Sequence, residues 1–432
     1  MGAARYKPYP AYKPSGVEWL GDIPEGWEAK RLGNLFEERR EKVSDKDYPP
    51  LSVTMQGIVP QLETAAKSLD SDNRKLVKAG DFVINSRSDR KGSAGLSALD
   101  GSVTLISNVL KPRDIEGSFA HHLLKSYPFQ EEYYRFGKGI VADLWSTNFN
   151  SMKNITLPVV PKEEQTKIAA FLDYETGKID ALIAKQERLI ALLEEKRQAV
   201  ISHAVTKGLN PNAPLRPSGI DWLGDVPEHW EVGRLRWYIS ISSGEGLSNQ
   251  FITSNLDENN ANRVVGGNGA MGFTNKVNTT EKRIVIGRVG ALCGNVHFFD
   301  EDCWITDNAL QISKWRSFSD DFLVHLIRAA NLNDLANKSA QPLITGNQVK
   351  SIEVAIPPVE EQKKIEKFLE NQVDIFAKLS SKAQSAITLL KERRTALISA
   401  AVTGKIDVRD WQPPQAVSDT DLSTETLQEA AL

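Results

Sequence analysis

"PSGVEWLGDIPEGWEAKRL" (Pro14–Leu32) decides how this chain is read, because "PSGIDWLGDVPEHWEVGRL" (Pro217–Leu235) repeats it 203 residues later with 13 of 19 positions identical. An echo at a fixed offset marks an internal duplication, and it sets the architecture before any local element is assigned. Two more pairs extend it. "PKEEQTKIAAFL" (Pro161–Leu172) returns as "PVEEQKKIEKFL" (Pro358–Leu369), with eight of twelve identical. "LLEEKRQAVISHAVTKG" (Leu192–Gly208) returns as "LLKERRTALISAAVTGK" (Leu389–Lys405), with ten of seventeen identical. The offset is now 197, so the blocks between, about Arg31–Pro158 and Arg234–Pro357, differ by six residues in length. They are also far less alike than their flanks. The plan is a lead segment, a variable globular block and a constant helix, all twice: two different modules on one repeated frame.

The constant segments read as helices. Pro161 and Pro358 suit a first turn, and Glu163, Glu164, Glu360 and Glu361 follow where the helix dipole favours carboxylates. A longer run has apolar positions at Ile179, Leu182, Leu189, Leu193 and Val200, matched by Phe376, Leu379, Ala386, Leu390 and Leu397. Basic Lys196, Arg197, Arg393 and Arg394 come late, and Gly208 and Gly404 can cap the ends. From Gly177 to Lys207 such a helix extends roughly 45 Å. A stripe sustained over three to four heptads asks for a partner helix, and the natural partner is the other copy, paired antiparallel.

Bulk numbers narrow the class. The chain has 432 residues, enough for two to four domains, and 41% hydrophobic with 25% charged residues is ordinary for a soluble globular protein. No window of eighteen apolar residues suggests a membrane span, and "MGAARYKPYPAYKPSG" lacks the apolar core of a signal peptide. Two cysteines, Cys293 and Cys303, stand without a CxxC or His-rich partner, so a disulfide framework or zinc site is not expected and a reducing cytoplasm is the default. Net charge is −3, but Val417–Leu432 carries four acids and no base, leaving +1 on the rest. Lys67–Arg113 sums to +4 and Asn262–Arg316 to +2, and local patches decide whether a polyanion is attracted.

The variable blocks show short β-rich runs broken by Gly, Ser and Asp, such as Phe82–Asn85, Val103–Val109, Ile284–Ile286 and Asn295–Phe299. Helix-like pieces follow in "FAHHLLKSY" and "DFLVHLIRAA", so each block reads as an α+β module dominated by β, with a half-barrel or strongly bent sheet. Catalytic signatures are missing. "GGNGAMG" (Gly266–Gly272) contains a formal GxGxxG at Gly267, Gly269 and Gly272, but "FTNKVNTTEKR" follows instead of a helix, so a loop between strands is expected. No GxxxxGK[ST], [DN]PP[YF] or HExxH occurs. What the blocks offer is polar reach. "NSRSDRKGS" crowds Asn85, Arg87, Ser88, Arg90, Lys91 and Ser93 into one loop, and the second block has "GGNGAMGFTNKVN", "GRVGALCGN" and "DNALQ". Arg and Lys suit guanine O6/N7, Asn and Gln suit adenine, and Ser and Thr suit phosphate. Each loop alone reads more readily as a plain solvated turn, and the argument rests on finding such loops in both modules of a duplicated frame.

In their order, "GVEWLGDIPEGWE", "PKEEQTKIAAFLD", "ISHAVTKGL", "GIDWLGDVPEHWE", "PVEEQKKIEKFLE" and "ISAAVTGKIDV" resemble the DNA-specificity subunit of type I restriction-modification enzymes, over roughly residues 12–410. The resemblance implies two β-rich target-recognition domains separated by two long helices that form an antiparallel coiled coil on a pseudo-twofold repeat. It divides the chain into a first recognition domain (1–160), a first helical spacer (161–208), a second recognition domain (209–357), a second spacer (358–408) and an acidic, disordered tail (409–432). It implies a non-catalytic cytoplasmic subunit that reads a bipartite asymmetric site on double-stranded DNA and docks two methylation subunits and restriction subunits. S-adenosylmethionine, ATP and Mg would then sit on those partners, with no cofactor or metal in this chain. Candidate DNA contacts are the six loop residues above with Lys138, Asn148 and Asn150 in the first module. In the second they are Asn268, Thr274, Asn275, Lys276, Arg288, Asn295, Thr345 and Asn347. Trp19, Trp27, Trp222 and Trp230 are the candidate partner anchors. Two other classes compete: a self-sufficient methyltransferase or nuclease with an unfamiliar catalytic motif, and a protein–protein adaptor that never touches DNA.

Overall fold

A computed structural model of the protein describes residues 6–63, 72–139, 145–290, 292–336 and 342–414. Most of the acidic tail, from 415 on, lies outside the described residues. The chain divides into two compact units, Met1–Gln186 with Ser385–Leu432, and Glu187–Gln384. Each unit therefore owns one variable block and half of each long helix, a partition that the linear order of segments does not show.

The long helices run Lys162–Lys207 and Val359–Val402. The 46 residues of the first extend about 69 Å at 1.5 Å per residue. Within the first unit they run antiparallel: Lys167 Nζ donates to the Arg409 carbonyl at 2.6 Å, and Asp180 pairs with Arg394 at 2.9 Å. Within the second unit Ile201, Ala204 and Val205 share a core with Ile365 and Leu369. The buried and half-buried positions recur as Ile179, Ile183, Gln186, Ile190, Leu193, Arg197 and Val200. That spacing is four-then-three, whereas the stripe expected through Leu182 and Leu189 is three-then-four. Leu182, Leu189 and Leu379 are 46%, 43% and 44% exposed, so the expected stripe is corrected by one residue to Ile183 and Ile190. Heptad spacing is the same in both frames.

Each lead segment folds as a small hairpin followed by a strand. Tyr12–Pro14 pairs with Asp22–Pro24, and Leu215–Pro217 with Asp225–Pro227, in identical register. Then Glu28–Arg31 pairs antiparallel with Thr156–Val159, and Glu231–Arg234 with Glu353–Ile356, tying the start of each block to the strand that enters its helix. Two glutamines fix the join. Gln165 Oε1 accepts the Glu116 N–H at 2.7 Å while its amide donates to the Val160 carbonyl at 2.7 Å. Gln362 does the same with the Ser319 N–H (2.8 Å) and the Pro357 carbonyl (2.9 Å). Both side chains are sealed from solvent, so each amide meets backbone groups that water cannot reach.

The glutamate before each glutamine holds a tryptophan. Trp27 Nε1 donates to Glu164 at 3.1 Å, and Trp230 Nε1 to Glu361 at 3.2 Å. Both indoles are 1% exposed. The far face of each meets the end of a long helix at a glycine with positive φ, Gly404 (76°) for Trp27 and Gly208 (74°) for Trp230. A Cβ on either glycine would lie about 3.1–3.2 Å from the ring. Glycine is needed twice over, for the left-handed cap and for the close approach. Trp27 and Trp230 are therefore internal hubs where lead hairpin and helices meet, and they present no surface for a partner. Trp19 and Trp222 are half-buried in their own units: Trp19 packs edge-on to Phe129, and Trp222 Nε1 donates to the Glu353 carbonyl at 3.1 Å.

Inside each variable block lies one four-stranded antiparallel sheet of the same order. In the first it runs Ala94–Leu96, Phe82–Asn85, Ser107–Pro112, Phe36–Glu38. In the second it runs Val296–Phe299, Arg283–Gly287, Ala309–Trp315, Ile239–Ser243. Phe82–Asn85 is wholly buried and Arg283–Gly287 is buried from Ile284 on, with an amphipathic helix, Gly117–Lys125 or Asp320–Ala329, over one face. A three-stranded sheet completes each block; in the first a separate hairpin, Leu51–Thr54 with Gly57–Pro60, stands beside it, and in the second the hairpin is part of it, consistent with an α+β module rich in strands. The formal GxGxxG spans the turn and second strand of a hairpin, Asn262–Gly266 with Gly269–Thr274, and opens no helix.

Candidate nucleic-acid interface

The central strand of each sheet ends in a loop built on one backbone pattern. In the first module the Asn85 N–H donates to the Ser93 carbonyl at 2.9 Å and closes residues 86–92 into a loop. In the second the Gly287 N–H donates to the Asn295 carbonyl at 2.9 Å and closes 288–294. Each loop is laced to the segment before its short helix. Arg87 bridges Ser146 and the Thr147 N–H donates to the Ser86 carbonyl, while Val289 bridges Leu343 and the Ile344 N–H donates to the Arg288 carbonyl. The scaffold thus places 85–93 beside 145–150, and 287–295 beside 342–347.

On these matched loops the side chains differ. Arg87 and Arg90 are exposed on the first, with Asp89 3.6 Å from the Arg90 guanidinium. Lys91 pairs with Glu131 and lies 4.9 Å above the Tyr134 ring, so its charge is partly spent inside the module. The second loop carries a single cation at its start. Arg288 Nη1 donates to Ser243 Oγ at 3.0 Å, and its Nε is enclosed without a partner among the described residues. Asn295 Nδ2 donates to Asn268 at 2.9 Å and joins this loop to the 262–274 hairpin.

Several expected readers carry structural work. Asn85 is 9% exposed and its Oδ1 accepts the Arg87 N–H at 3.0 Å, and Ser93 is equally sealed, so both shape the loop. Asn148 caps Phe149–Met152 through the Ser151 N–H, and Thr345 caps Gly346–Ser351 in a capping box with Gln348. Thr274 is fully buried. Lys138 is exposed and its backbone bridges Ser146, which gathers it with Arg87. Asn148 and Asn150 line one hollow with Ser86 and Ser146. Asn268, Asn275 and Asn347 are exposed, and Lys276 is half-buried with its ammonium 3.4 Å from the Phe251 ring centre. Ser88 sits half-buried at the start of the first loop's 3₁₀ turn.

Sequence reasoning missed the wall opposite the first loop. The hairpin Leu51–Thr54 with Gly57–Pro60 faces it across a cleft of about 660 Å³, lined by Ser52, Thr54, Gln61, Arg74, Arg90 and Thr104 among others. The "VTMQGIV" turn was the available signal. Histidines offer no catalytic arrangement among the described residues. His122 Nε2 lies 2.7 Å from Asp173 and pins the module to its long helix; that hydrogen bond holds the Asp173 carboxyl below its usual range. Burial pushes His121 and His325 down to about 4. Among the described residues no cluster of His, Cys, Asp and Glu could hold a metal, and no helix is long and apolar enough to cross a membrane.

Comparison with known proteins meets this geometry. The sequence pattern of the type I restriction modification DNA specificity domain matches residues 24–192 and 228–389. The putative type I restriction enzyme MjaX specificity subunit of Methanocaldococcus jannaschii is 23% identical, covering 90% of this chain and 96% of the relative. The EcoKI specificity subunit of Escherichia coli K12 is 23% identical over 91% of each. Among solved structures, a chain from a type I R-M system assembly superposes with a TM-score of 0.69 at 18% identity, covering 89% of this chain and 99% of that one. The crystal structure of the HsdS subunit from Thermoanaerobacter tengcongensis gives 0.50 at 18% identity, covering 89% and 98%. With two matched blocks spanning most of its length on a duplicated frame, the chain belongs to the type I restriction modification DNA specificity domain family and carries that domain twice.

Proposed function

We propose that this chain is the sequence-specificity subunit of a type I restriction-modification complex, reading one half of a split DNA target with each module. The observation that carries the reading is the pair of matched loops: one backbone frame, built twice, displays Arg87, Arg90 and Lys91 in one module and Arg288 in the other. Identical frames with unlike polar surfaces suit an asymmetric bipartite site. Arg87, Arg90, Lys138, Asn150, Asn268, Asn275, Lys276, Arg288 and Asn347 face the DNA, while Asn85, Ser93, Asn148, Thr274 and Thr345 hold the loops that carry them. The long helices dock two methylation subunits and, through them, restriction subunits. Methyl transfer and ATP-driven steps belong to those partners in the cytoplasm, where S-adenosylmethionine, ATP and Mg bind.

The test is methylome sequencing of the assembled complex, with the purified chain as control. The expected outcome is no methyl transfer by the chain alone, and a split asymmetric motif once the methylation subunits are added. Methylation by the chain alone would return the self-sufficient enzyme; assembly without any DNA preference would return the adaptor.

A further inference from the structure

Arg74 is a buried cation that no recognised motif explains. It is 3% exposed on the strand Arg74–Val77 and forms part of the cleft between the 51–60 hairpin and the 86–92 loop. Its Nε donates to Ser102 Oγ at 2.8 Å and its Nη2 to the Ser102 carbonyl at 3.1 Å. These bonds orient the guanidinium and leave its charge in place. No carboxylate lies within 4.0 Å of it among the described residues. Burial lowers its pKa more than the charge of Asp45 restores it. A buried charge without a counter-charge is expensive, and a residue that only filled space could be neutral.

Strand register supplies a second, independent observation. In the first module Val77 pairs antiparallel with Gly101, and Asn85 with Ser107. In the second Thr279 bridges Cys303 in the same sense, and Gly287 pairs with Ala309. Each of these positions maps onto its counterpart by adding 202, which carries Arg74 onto Lys276. That lysine also lacks a carboxylate within ion-pair distance among the described residues, and its ammonium rests on the Phe251 ring. Two blocks with little sequence in common thus keep an unneutralised cation three residues before a matched strand contact, Val77 with Gly101 and Thr279 with Cys303, at the start of a strand in the first and in a connecting segment in the second.

We infer that Arg74 and Lys276 are matched DNA-contact positions, each offering N–H donors to an acceptor on the half-site its module reads. This rests on the proposed DNA-reading role of the modules. With Nε and one Nη2 hydrogen engaged by Ser102, the outer edge of the Arg74 fork keeps an Nη1 and an Nη2 donor side by side, the spacing of a guanine O6/N7 pair or of two phosphate oxygens. Lys276 is a point charge and takes one acceptor at a time.

The experiment uses the complete complex with its methylation subunits and compares Arg74→Gln, Lys276→Gln and the loop variants Arg87→Ala and Arg288→Ala. Affinity is measured for the cognate duplex and for duplexes with either half-site scrambled, across a salt series. Arg74→Gln and Lys276→Gln are each expected to weaken cognate binding about tenfold. A base contact loses this difference when its own half-site is scrambled. A phosphate contact keeps it on every duplex and flattens the salt slope by about one. Either pattern supports the inference. Wild-type affinity in both assembled Gln variants, with the loop variants weakened, overturns it and leaves the DNA-reading role standing. Wild-type affinity in all four removes both. Lys276 lies half-buried just beyond the strand Gly269–Thr274, so it carries the test if Arg74→Gln fails to assemble.

Discussion

In the first module the strand Gly101–Val103 is held by antiparallel pairing to Arg74–Val77 and touches the neighbouring hairpin through one parallel bridge, Pro50 to Ser102. In the second the matching strand, Cys303–Ile305, is held by three parallel pairs to Asn262–Gly266 and touches Thr279 through one antiparallel bridge. The neighbours are the same on both sides, and only the share of hydrogen bonds differs. A strand needs its backbone groups satisfied and is indifferent to which side satisfies them. The polar wall of each module is therefore free to change shape while the central sheet, the tryptophan hub and the glutamine joint stay fixed. Between the two modules the differences gather on the polar wall proposed to read DNA, and the likeness in the frame that joins each module to its helices.

Exchanging residues 31–158 for the block of another family member tests that separation most severely. One half of the methylated motif should change completely and the other not at all; a chimera that alters both halves breaks the comparison. Next in size, the hubs should be equivalent. Trp27→Ala and Trp230→Ala each remove a sealed indole and its hydrogen bond to a glutamate, at a cost of about 3–5 kcal/mol in chemical unfolding. A large loss for one and none for the other would show that the repeat is not energetically symmetric. The loops should differ where the hubs agree. Arg87→Ala and Arg288→Ala should each cost about 1–3 kcal/mol of DNA binding, with folding and assembly intact, and each should relax only its own half-site.

The smallest effect concerns acid. His122 has Asp173 as its partner, whereas the matching His325 has its Nδ1 enclosed with none among the described residues. His325, and His121 beside His122, are both depressed to about 4 by burial. Between about pH 6.5 and 4 the unfolded chain binds protons at these rings that the folded chain does not, so stability rises with pH across that window and falls on acidification. Each half-buried ring should contribute about 1–2 kcal/mol to the loss. Unfolding of the His325→Gln variant should be flatter with pH than that of the wild type. The Asp173 carboxyl, held low by His122, acts at still lower pH, where its stabilisation is lost as pH falls through its folded value.

The frame was legible because duplication leaves identical words at fixed spacing, and helical boundaries followed from proline, acids and glycine. The helix seam was ambiguous by one residue because Leu182–Ile183 and Leu189–Ile190 are adjacent apolar pairs, and heptad counting accepts either member. The tryptophans looked like anchors because a large aromatic in a turn-rich segment carries no mark of burial. What encloses Trp27 is Glu164 and Gly404, residues remote in sequence. Arg74 was invisible for the same reason: its meaning lies in the strand register that sets it opposite Ser102 and level with Lys276.

One junction has a consequence in time. Residues 6–12 are laced to 404–411: the Asp407 N–H donates to the Lys7 carbonyl at 2.8 Å, the Tyr12 hydroxyl to the Gly404 carbonyl at 3.1 Å, and the Arg409 guanidinium sits 5.0 Å above the Tyr9 ring. The second unit makes the matching crossing with one continuous stretch, and it is contiguous in sequence from Glu187 to Gln384. During synthesis the second unit can therefore close as soon as it leaves the ribosome. The first module, made earlier, must wait with its tryptophan hub uncovered until a segment 392 residues downstream arrives. The half that is translated first is the half that finishes last.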